Sequence, residues 1–406
     1  MSEAKAGTAH PIVFLLLCIP FGAANGYLIV TLAYQLSHAG VSVGAIAWLI
    51  TLSLFPQTWK VFWAPIVDTT LNSKTWYLMA AIASAVTLGA IGFFRPSQAT
   101  LFIITVLIFA NSVAISFLAM AAENLMAHAT SESEKGRAGG WYQAGNLGGS
   151  GIGGGAALWI AQHTAIMWLP GAAMAALFLA CCGALFFVAE PAMDHRKDSY
   201  LTSLIGVVKD VWTTAKSRAG FLALLICFLP IGSGAATGLW ASVAGDWHAT
   251  ADTVALVNGV LGGIVSAAGC VIGGYLCDRM DRKFAYALFG VFLAAAALVM
   301  AVSARTQTMF VTFTLLYAFV QGFNYASFSA VVLEAIGRGA AATKYNLYAA
   351  LSNVPIAYLT TIEGMSYDRW HANGLLYADA LSGLIAVAFF TLVSVAIWPR
   401  RVAVAA

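Results

Sequence analysis

The strongest constraint on this chain is a succession of long apolar runs that occupies almost its whole length. Each run is close to the length, about 20 residues, that a helix needs to cross the hydrocarbon core of a bilayer. A helix satisfies its own backbone hydrogen bonds in lipid, so the runs predict an all-α membrane protein with twelve transmembrane helices. The runs lie near 12–36, 44–66, 76–94, 99–126, 138–162, 166–189, 219–243, 253–276, 284–303, 308–335, 345–367 and 375–398.

The composition supports a membrane protein and argues against several other classes. Hydrophobic residues make up 61% of the 406 residues and charged residues only 9%, whereas soluble domains carry about 25% charged residues. The net charge of +3 is spread over short loops, which argues against a nucleic-acid partner. The six cysteines form no C-x-x-C pair, so we expect no disulfide framework, no metal site and no cofactor.

The positive residues concentrate in the loops on one side of the predicted spans. Only Arg95, Arg305 and Arg369 fall on the other side. Because Lys and Arg are enriched in cytoplasmic loops, we expect a multi-pass protein of a bacterial inner membrane with both termini in the cytoplasm. The longest polar interruption, 190–218, carries apolar residues at helical spacing and predicts an amphipathic helix on the cytoplasmic surface.

An internal repeat relates the two parts of the chain on either side of this interruption. Pro20, Gly22 and Asp68 match Pro230, Gly232 and Asp278 at an offset of 210 residues. Glu123 matches Glu334 at 211 residues. The alternative is that prolines and acids fall at similar places by chance. We predict two six-helix halves, 1–189 and 219–406, joined by the linker 190–218.

The run around 138–162 is rich in glycine and contains two motifs that resemble enzyme signatures. GSGIGG (149–154) matches G-x-G-x-x-G but follows no predicted strand, which argues against a dinucleotide site. GGSG (148–151) resembles the serine motif of intramembrane proteases, but all seven histidines map to loops or termini, so no embedded base is expected. We predict close helix packing through small residues and no enzyme activity.

The segment GYLCDRMDRK (274–283) carries the G-x-L-x-D-R-x-x-R-K signature of major facilitator superfamily transporters, and the chain resembles that family. An aspartate at a helix end beside arginines can form a charge-assisted clamp that holds one conformation. The alternative is a solvated loop whose charges only set topology. Here the candidates are Asp278, Arg279 and Arg282. The first-half copy, APIVDTTLNSK (64–74), keeps Asp68 but lacks the arginines.

Three further stretches resemble the AmpG-like branch of that family, which includes muropeptide permeases, acetyl-CoA transporters and some siderophore permeases. They are KVFWAPIVD (60–68), the glycine-rich stretch 133–161 and AATKYNLYAALSN (341–353). Muropeptide permeases of that branch carry aspartates inside the fourth helix, whereas ISFLAMAAENLM (115–126) offers only Glu123. The resemblance implies import of a medium-sized anionic or zwitterionic metabolite, such as a muropeptide, a siderophore or an acyl-CoA-like compound.

Lys60 is the most unusual residue of the predicted spans. It precedes Asp68 by two helical turns, which places it roughly 12 Å inside the bilayer at about 1.5 Å per residue. A lysine at that depth needs a carboxylate partner, or a wet cavity and an anion to bind. We favour Lys60 as an anion-binding residue.

Other polar residues of the spans are candidates for contact with a substrate, because polar side chains are costly in lipid and tend to face a cavity. Gln321, Asn324 and Tyr325 share one helix face by their spacing. For any single Asn or Gln, an interhelical hydrogen bond is the alternative. The full set of predicted substrate-binding residues is Lys60, Gln57, Asn25, Tyr27, Trp240, Gln321, Asn324 and Tyr325.

Four acidic residues in the apolar runs have roles that the sequence leaves open. Glu123 and Glu334 lie near cytoplasmic helix ends, where they could carry protons or form ion pairs with loop cations. Glu363 and Asp379 lie near outer helix ends and are interpreted as gate or interface residues.

Together these features predict a secondary active transporter that moves a small or medium-sized metabolite by alternating access. Import is favoured, with proton coupling as an option, and the expected partners are the substrate, protons and the lipid bilayer around a monomer. One alternative is a drug or metabolite exporter of the same fold. The other is a non-transporting membrane sensor.

Overall fold

The computed structural model of the chain is helical throughout the residues that it describes, with no strand among them. Those residues are 9–130, 135–190, 205, 209, 212–213, 216–277, 279–336 and 347–397. Ile205, Lys209 and Trp212 are helical and exposed, but most of the 190–218 linker lies outside the described residues, so the amphipathic helix stays a prediction. The division of the chain at this linker stays a prediction.

The helical elements are labelled α1–α12 in chain order. The N-terminal helices are α1 (Ile12–His38), α2 (Val43–Thr58 and Lys60–Thr69), α3 (Ser73–Ile91), α4 (Leu101–Ala129), α5 (Lys135–Gly151, Ile152–Ala156 and Ala157–His163) and α6 (Leu169–Phe187). The C-terminal helices are α7 (Arg218–Ile226, Ala235–Gly238, Trp240–Val243 and Ala244–Trp247), α8 (Ala251–Cys277), α9 (Arg282–Val302), α10 (Gln307–Ile336), and α11 and α12 (together Asn353–Ile397).

Eight helical stretches of the described chain are long and apolar enough to cross a membrane: α1, α3, α4, α6, α8, α9, α10 and Leu347–Ala396. The last of these contains both α11 and α12, because the backbone leaves helical conformation at Trp370 and His371. The predicted all-α membrane architecture is therefore confirmed, while the count of twelve spans stays a prediction. Of the remaining predicted spans, α2 and α7 are interrupted, whereas α5 is continuous but rich in glycine and therefore less apolar.

Helix α2 breaks at Trp59, whose backbone is not helical, and Lys60 is the first residue of the second segment. Pro56 lies one turn before the break, and a proline inside a helix removes one backbone hydrogen bond. The chain over α2 therefore forms two helical segments, one on each side of Trp59, rather than one continuous helix. The apolar run over 44–66 predicted one continuous helix, so the interruption at Trp59 differs from the prediction.

Helix α7 is unwound between Ile226 and Ala235. Gly232 and Gly234 have φ values of 59° and 68°, a left-handed conformation that glycine adopts without a steric penalty. A side chain at Gly232 would collide with Asn324 of α10, and one at Gly234 would collide with Gln321 of the same helix. The unwound segment therefore lies directly against the polar face of α10.

Helix α5 packs against α1 through a line of glycines. A Cβ atom at Gly145, Gly149 or Gly153 would collide with the backbone of α1, and the reverse holds for Gly22 and Gly26 of α1 against α5. Glycines spaced four residues apart lie on one helix face and let two backbones approach closely. The predicted packing role of the glycine-rich run is confirmed.

A second line of glycines on α5 faces α8. Gly151 approaches Gly259 of α8, and a Cβ atom at Gly259 would stand 2.7 Å from the Cα atom of Gly155. Helix α5 therefore makes close backbone contacts with one N-terminal helix and one C-terminal helix at the same time.

Candidate functional site

A cavity of about 190 Å³ lies where α1, α5, α7, α8 and α10 meet. It is formed by N-terminal and C-terminal helices together, as expected for a binding site between two parts of a transporter. Its lining is apolar with several uncharged polar side chains and no Lys, Arg, Asp or Glu. The lining residues are Ile29, Val30, Leu147, Ser150, Thr237, Trp240, Val257, Asn258, Gly259, Gly262, Gly263, Ser266, Thr314, Ala318, Gln321 and Tyr325.

Three of the lining side chains have buried polar atoms without a hydrogen-bond partner. They are the indole nitrogen of Trp240, both amide atoms of Asn258 and the hydroxyl of Thr314. A buried polar group without a partner costs about 1–3 kcal/mol, and most such groups in proteins are paired. We therefore take these three side chains as candidates for hydrogen bonds with a polar ligand in the cavity.

Backbone irregularities surround the same cavity. Three segments form π-helix, namely Tyr27–Leu32 of α1, Ile152–Ala156 of α5 and Ala255–Leu261 of α8, and the three pack against one another. The hydroxyl of Thr31 lies 3.0 Å from the carbonyl oxygens of both Gly153 and Gly154, so it satisfies carbonyls of the α5 segment. Single π-helical turns frequently mark functional sites, and Asn258 lies within the α8 segment.

Three of the predicted substrate-binding residues, Trp240, Gln321 and Tyr325, line the cavity. Gln321 is held in place because its amide oxygen accepts a hydrogen bond from Thr237 at 3.0 Å and its amide nitrogen donates to the Tyr325 hydroxyl at 3.1 Å. Asn324 does not line the cavity. It is buried and its amide nitrogen donates to the carbonyl oxygens of Phe289 and Val320, so here the structure favours a packing role.

Lys60 is paired with Glu123 of α4, with 3.3 Å between Nζ and Oε1. The two side chains are 20% and 24% exposed, so neither is sealed away from solvent or a ligand. Of the two environments expected for a lysine at this depth, the structure provides the carboxylate partner. The loop cations considered as partners cannot be compared, because the side chain of Arg137 and the whole of Arg338 lie outside the described residues.

Asn25 of α1 and Gln57 of α2 bond to each other, and each lies one turn from a residue of the cavity or of the ion pair. The Gln57 amide nitrogen donates to the Asn25 amide oxygen at 3.2 Å. Asn25 lies one turn from the cavity residue Ile29 on α1, and Gln57 lies one turn from Lys60 across the α2 break. We call Asn25, Gln57, Lys60 and Glu123 the charged cluster. Tyr27 lies outside both sets and is buried in the apolar core.

The predicted gating residues are only partly described. The side chains of Asp68 and Glu334, and the whole of Asp278, lie outside the described residues. The Arg279 guanidinium donates to the Tyr275 hydroxyl and stacks on that ring at 3.9 Å. Arg282 begins α9, after Asp281, which caps that helix by accepting from Phe284 N at 2.9 Å. The clamp proposed for this motif stays a prediction.

The N-terminal and C-terminal helices also meet at one end of the molecule, which we call the closed end. The Ser37 hydroxyl donates to the Ser242 carbonyl oxygen, and the Gly44 amide donates to Asp368 at 3.0 Å. Further along α2, the Thr51 and Thr361 hydroxyls are 2.8 Å apart. Every hydrogen bond described between the two groups of helices lies in this region, which holds α2 against α11.

Sequence reasoning missed Asn258 and Thr314 as site residues. Each is a polar residue inside an apolar run, which was the signal used for Asn25 and Gln321. Nothing in the sequence distinguished them from polar residues that bond to a neighbouring helix, and the distinction came only from their unpaired buried atoms.

Comparison with known proteins gives consistent results over most of the chain. The family model of the Major Facilitator Superfamily matches residues 13–360. The anhydromuropeptide permease of Escherichia coli strain K12 is 24% identical over 356 residues, which cover 80% of this chain and 68% of that protein.

Solved structures show the same fold. The nucleoside transporter NupG superposes with a TM-score of 0.68 at 15% identity and covers 95% of this chain and 98% of its own. A bacterial homolog of the human lysosomal transporter Spinster gives 0.67 at 14% identity over 95% and 94% of the two chains. A D-xylose–proton symporter gives 0.65 at 12% identity over 94% and 96%.

Proposed function

The chain belongs to the major facilitator superfamily, and on that premise we propose that it is a secondary active transporter that imports a polar metabolite by alternating access. The observation that carries this proposal is the cavity between the N-terminal and C-terminal helices, which is lined by Trp240, Asn258 and Thr314, side chains whose polar atoms have no partner within the protein. In this interpretation the helices α1–α6 and α7–α12 act as two halves that rock around the cavity. The transporter performs no covalent chemistry on its substrate.

The lining of the cavity supports a substrate with several uncharged hydrogen-bonding groups. Trp240 and Tyr325 offer aromatic faces, while Asn258, Thr314 and Gln321 offer amide and hydroxyl groups, a combination that suits sugars and peptide amides. The similar permease is named for anhydromuropeptides, which contain both. We therefore propose a compound of that class, whose charged groups would meet Lys60 and Glu123 of the charged cluster.

The orientation of the chain in the membrane is inferred from its charge distribution, and both this orientation and the location are part of the proposal. The positive residues favour cytoplasmic termini, which would put the closed end on the outer side of a bacterial inner membrane. The structure would then represent the conformation that is closed to the outside. An exporter of the same fold would use the same cavity, and a sensor would bind ligand there without moving it.

Uptake of radiolabelled 1,6-anhydromuropeptide into proteoliposomes, with and without a pH gradient, tests the proposed function. We expect accumulation that exceeds that of protein-free liposomes. Binding without accumulation would favour a sensor, and release only from preloaded vesicles would favour an exporter. If this compound and the siderophore and acyl-CoA-like alternatives neither bind nor move, the import proposal fails.

Replacing Asn258 with leucine should reduce this uptake by about tenfold or more, because two ligand hydrogen bonds are lost at about 0.5–1.5 kcal/mol each. The variant should fold as well as the original protein, since the unpaired amide atoms disappear with the substitution. Val271→Ala is the matched control, as Val271 lies on the same helix and is 75% exposed. Unchanged uptake in the Asn258 variant would show that this side of the cavity does not bind the transported substrate.

A disulfide between Thr51→Cys and Thr361→Cys should hold the closed end shut. The two hydroxyl oxygens are 2.8 Å apart, so sulfur atoms at these positions can approach bonding distance. Oxidation should reduce uptake by the double variant to background, and reduction should restore it, while each single variant should be unaffected by oxidant. Full uptake with the disulfide confirmed by mass spectrometry would contradict opening at this end.

A further inference from the structure

Two carboxylic acids are buried beside each other between α10, α11 and α12. Glu363 is fully buried and Asp379 is 6% exposed, and the two groups lie close enough to interact. The Tyr317 hydroxyl of α10 donates to Asp379 Oδ2 at 3.0 Å. Neither carboxyl oxygen of Glu363 has a well-formed hydrogen bond. Their earlier interpretation as gate or interface residues did not anticipate this burial.

No positive charge balances the two acids among the described residues. Neither forms an ion pair with Lys, Arg or His. The segment Val43–Thr58 of α2 and the segment Ala235–Gly238 of α7, which both pack against α11 and α12, contain no ionisable side chain. From α10 the ionisable groups near the pair are Tyr317 and, beyond it, Tyr325.

The remaining ionisable groups around α11 and α12 have other partners or lie towards the helix ends. Tyr286 of α9 and Tyr358 of α11 each donate to a backbone carbonyl of α7. Near the closed end, Arg305 bonds to Asn373 and stacks on Trp247, Asp246 accepts from Tyr367, and Asp368 accepts from Gly44. Arg369 stacks on Trp370, and the exposed Tyr377 lies on α12.

A buried carboxylate without a counter-charge is strongly disfavoured and takes up a proton instead. Two neighbouring carboxylates in one buried site cannot both stay ionised, since their like charges repel at low dielectric. The geometry therefore requires the pair to hold at least one proton while the closed end is shut.

The position of the pair connects the cavity with the closed end. On one side, Tyr317 packs edge-on against Trp240, with 5.4 Å between ring centroids, and Trp240 lines the cavity. On the other side, Gly364 follows Glu363 directly and packs against Val43 and Ala47 of α2. A change at the cavity therefore reaches the pair through the Tyr317 side chain, and a change at the closed end reaches it through the backbone of Gly364.

We propose that Glu363 and Asp379 form the proton-binding site that couples transport to a proton gradient, in place of Glu123 and Glu334. Binding converts one carboxylate and one proton into one neutral carboxylic acid, which permits the dry packing of α11 against α2. Loss of the proton leaves two negative charges, which require water and so favour separation of α2 from α11. This inference rests on the proposed transport function for its role but not for the existence of the protonated pair.

Infrared difference spectroscopy in H₂O and D₂O tests the protonated pair without any substrate. The purified full chain should show a C=O stretching band of protonated carboxylic acid at neutral pH. The band should vanish in the Glu363→Gln/Asp379→Asn double variant and persist in Asp252→Asn, which removes an exposed carboxylate. Tyr317→Phe should shift the band, because it removes the hydroxyl bonded to Asp379 but keeps the ring. A double variant that keeps the band of the original protein would overturn the proposal.

Transport of labelled anhydromuropeptide then tests coupling. Glu363→Gln should keep exchange between equal substrate concentrations but lose the stimulation of uptake by a pH gradient. Gradient-stimulated uptake equal to that of the original protein would overturn the coupling role. If the variant does not fold, Tyr317→Phe serves in its place and should show a weakened stimulation. Failure of the original protein to move the compound, with the infrared band present, would instead count against the proposed function.

Discussion

Gly153→Leu is expected to abolish the folded protein, whereas Gly148→Leu on the same helix should leave it intact. A side chain at Gly153 would collide with the backbone carbonyl of Ala23, and backbone atoms cannot move aside as a flexible side chain could. At Gly148 a Cβ atom would meet nothing within 4 Å. The two substitutions are five residues apart on α5 and add the same apolar surface, so they differ only in which face they alter.

Size-exclusion chromatography of the solubilised protein, with thermal unfolding, measures this difference. We expect no monodisperse peak for Gly153→Leu. Gly153→Ala should be intermediate, since overpacking costs about 1–3 kcal/mol and each kcal/mol lowers the melting temperature by about 2–4 °C or less in a chain of this size. A Gly153→Leu variant that elutes and melts as the original protein would refute the close contact between α1 and α5.

Lys60→Ala should lose nearly all transport while the protein still reaches the membrane in normal amounts. The Lys60–Glu123 pair is partly exposed, so the Glu123 carboxyl left by the substitution can be hydrated or take up a proton, and the fold does not depend on the pair. Loss of a charged hydrogen bond to a ligand costs about 1.5–3 kcal/mol, which is roughly tenfold to a hundredfold in affinity. Initial uptake rates and membrane abundance measure the two effects separately, with Lys209→Ala as an exposed lysine control.

The double variant Lys60→Ala/Glu123→Gln distinguishes ligand contact from mere charge balance. If Lys60 only neutralises Glu123, removal of both charges should restore transport to the original rate. If Lys60 contacts the substrate, the double variant should stay inactive although its thermal stability is normal. We expect the second result. Restored transport would show that Lys60 serves only to neutralise Glu123.

The sequence was most informative where local pattern alone decides the structure. Apolar run lengths predicted α1 and α4 closely, and the glycine-rich composition of α5 predicted close helix packing, though not that α1 and α8 are its partners. Trp240, Gln321 and Tyr325 were chosen because a polar or aromatic residue on a lipid-length helix usually faces inward, and all three line the cavity; their contact with a substrate stays a prediction. These inferences need only the helix period and the cost of polar groups in lipid.

The features that sequence reasoning missed depend on partners far away in the chain. Lys60 and Glu123 are 63 residues apart, and nothing local to either residue identifies the other. The break at Trp59 and the unwound part of α7 are stable because neighbouring helices hold them, which hydropathy does not record. Likewise, the burial of Glu363 beside Asp379 depends on how α11 and α12 pack against α10, and neither run shows it alone.

The two lines of glycine on α5 have different consequences for the rate at which the molecule changes shape. Where α5 meets α1, the close contact runs along five glycines, Gly145, Gly149 and Gly153 of α5 and Gly22 and Gly26 of α1, so the two helices must travel together. Where Gly151 and Gly155 meet Gly259 of α8, bare backbone faces bare backbone, so no side chain has to leave a hole when the helices slide. Such a contact presents a low kinetic barrier. Helix α5 thus moves together with α1 but can slide along α8.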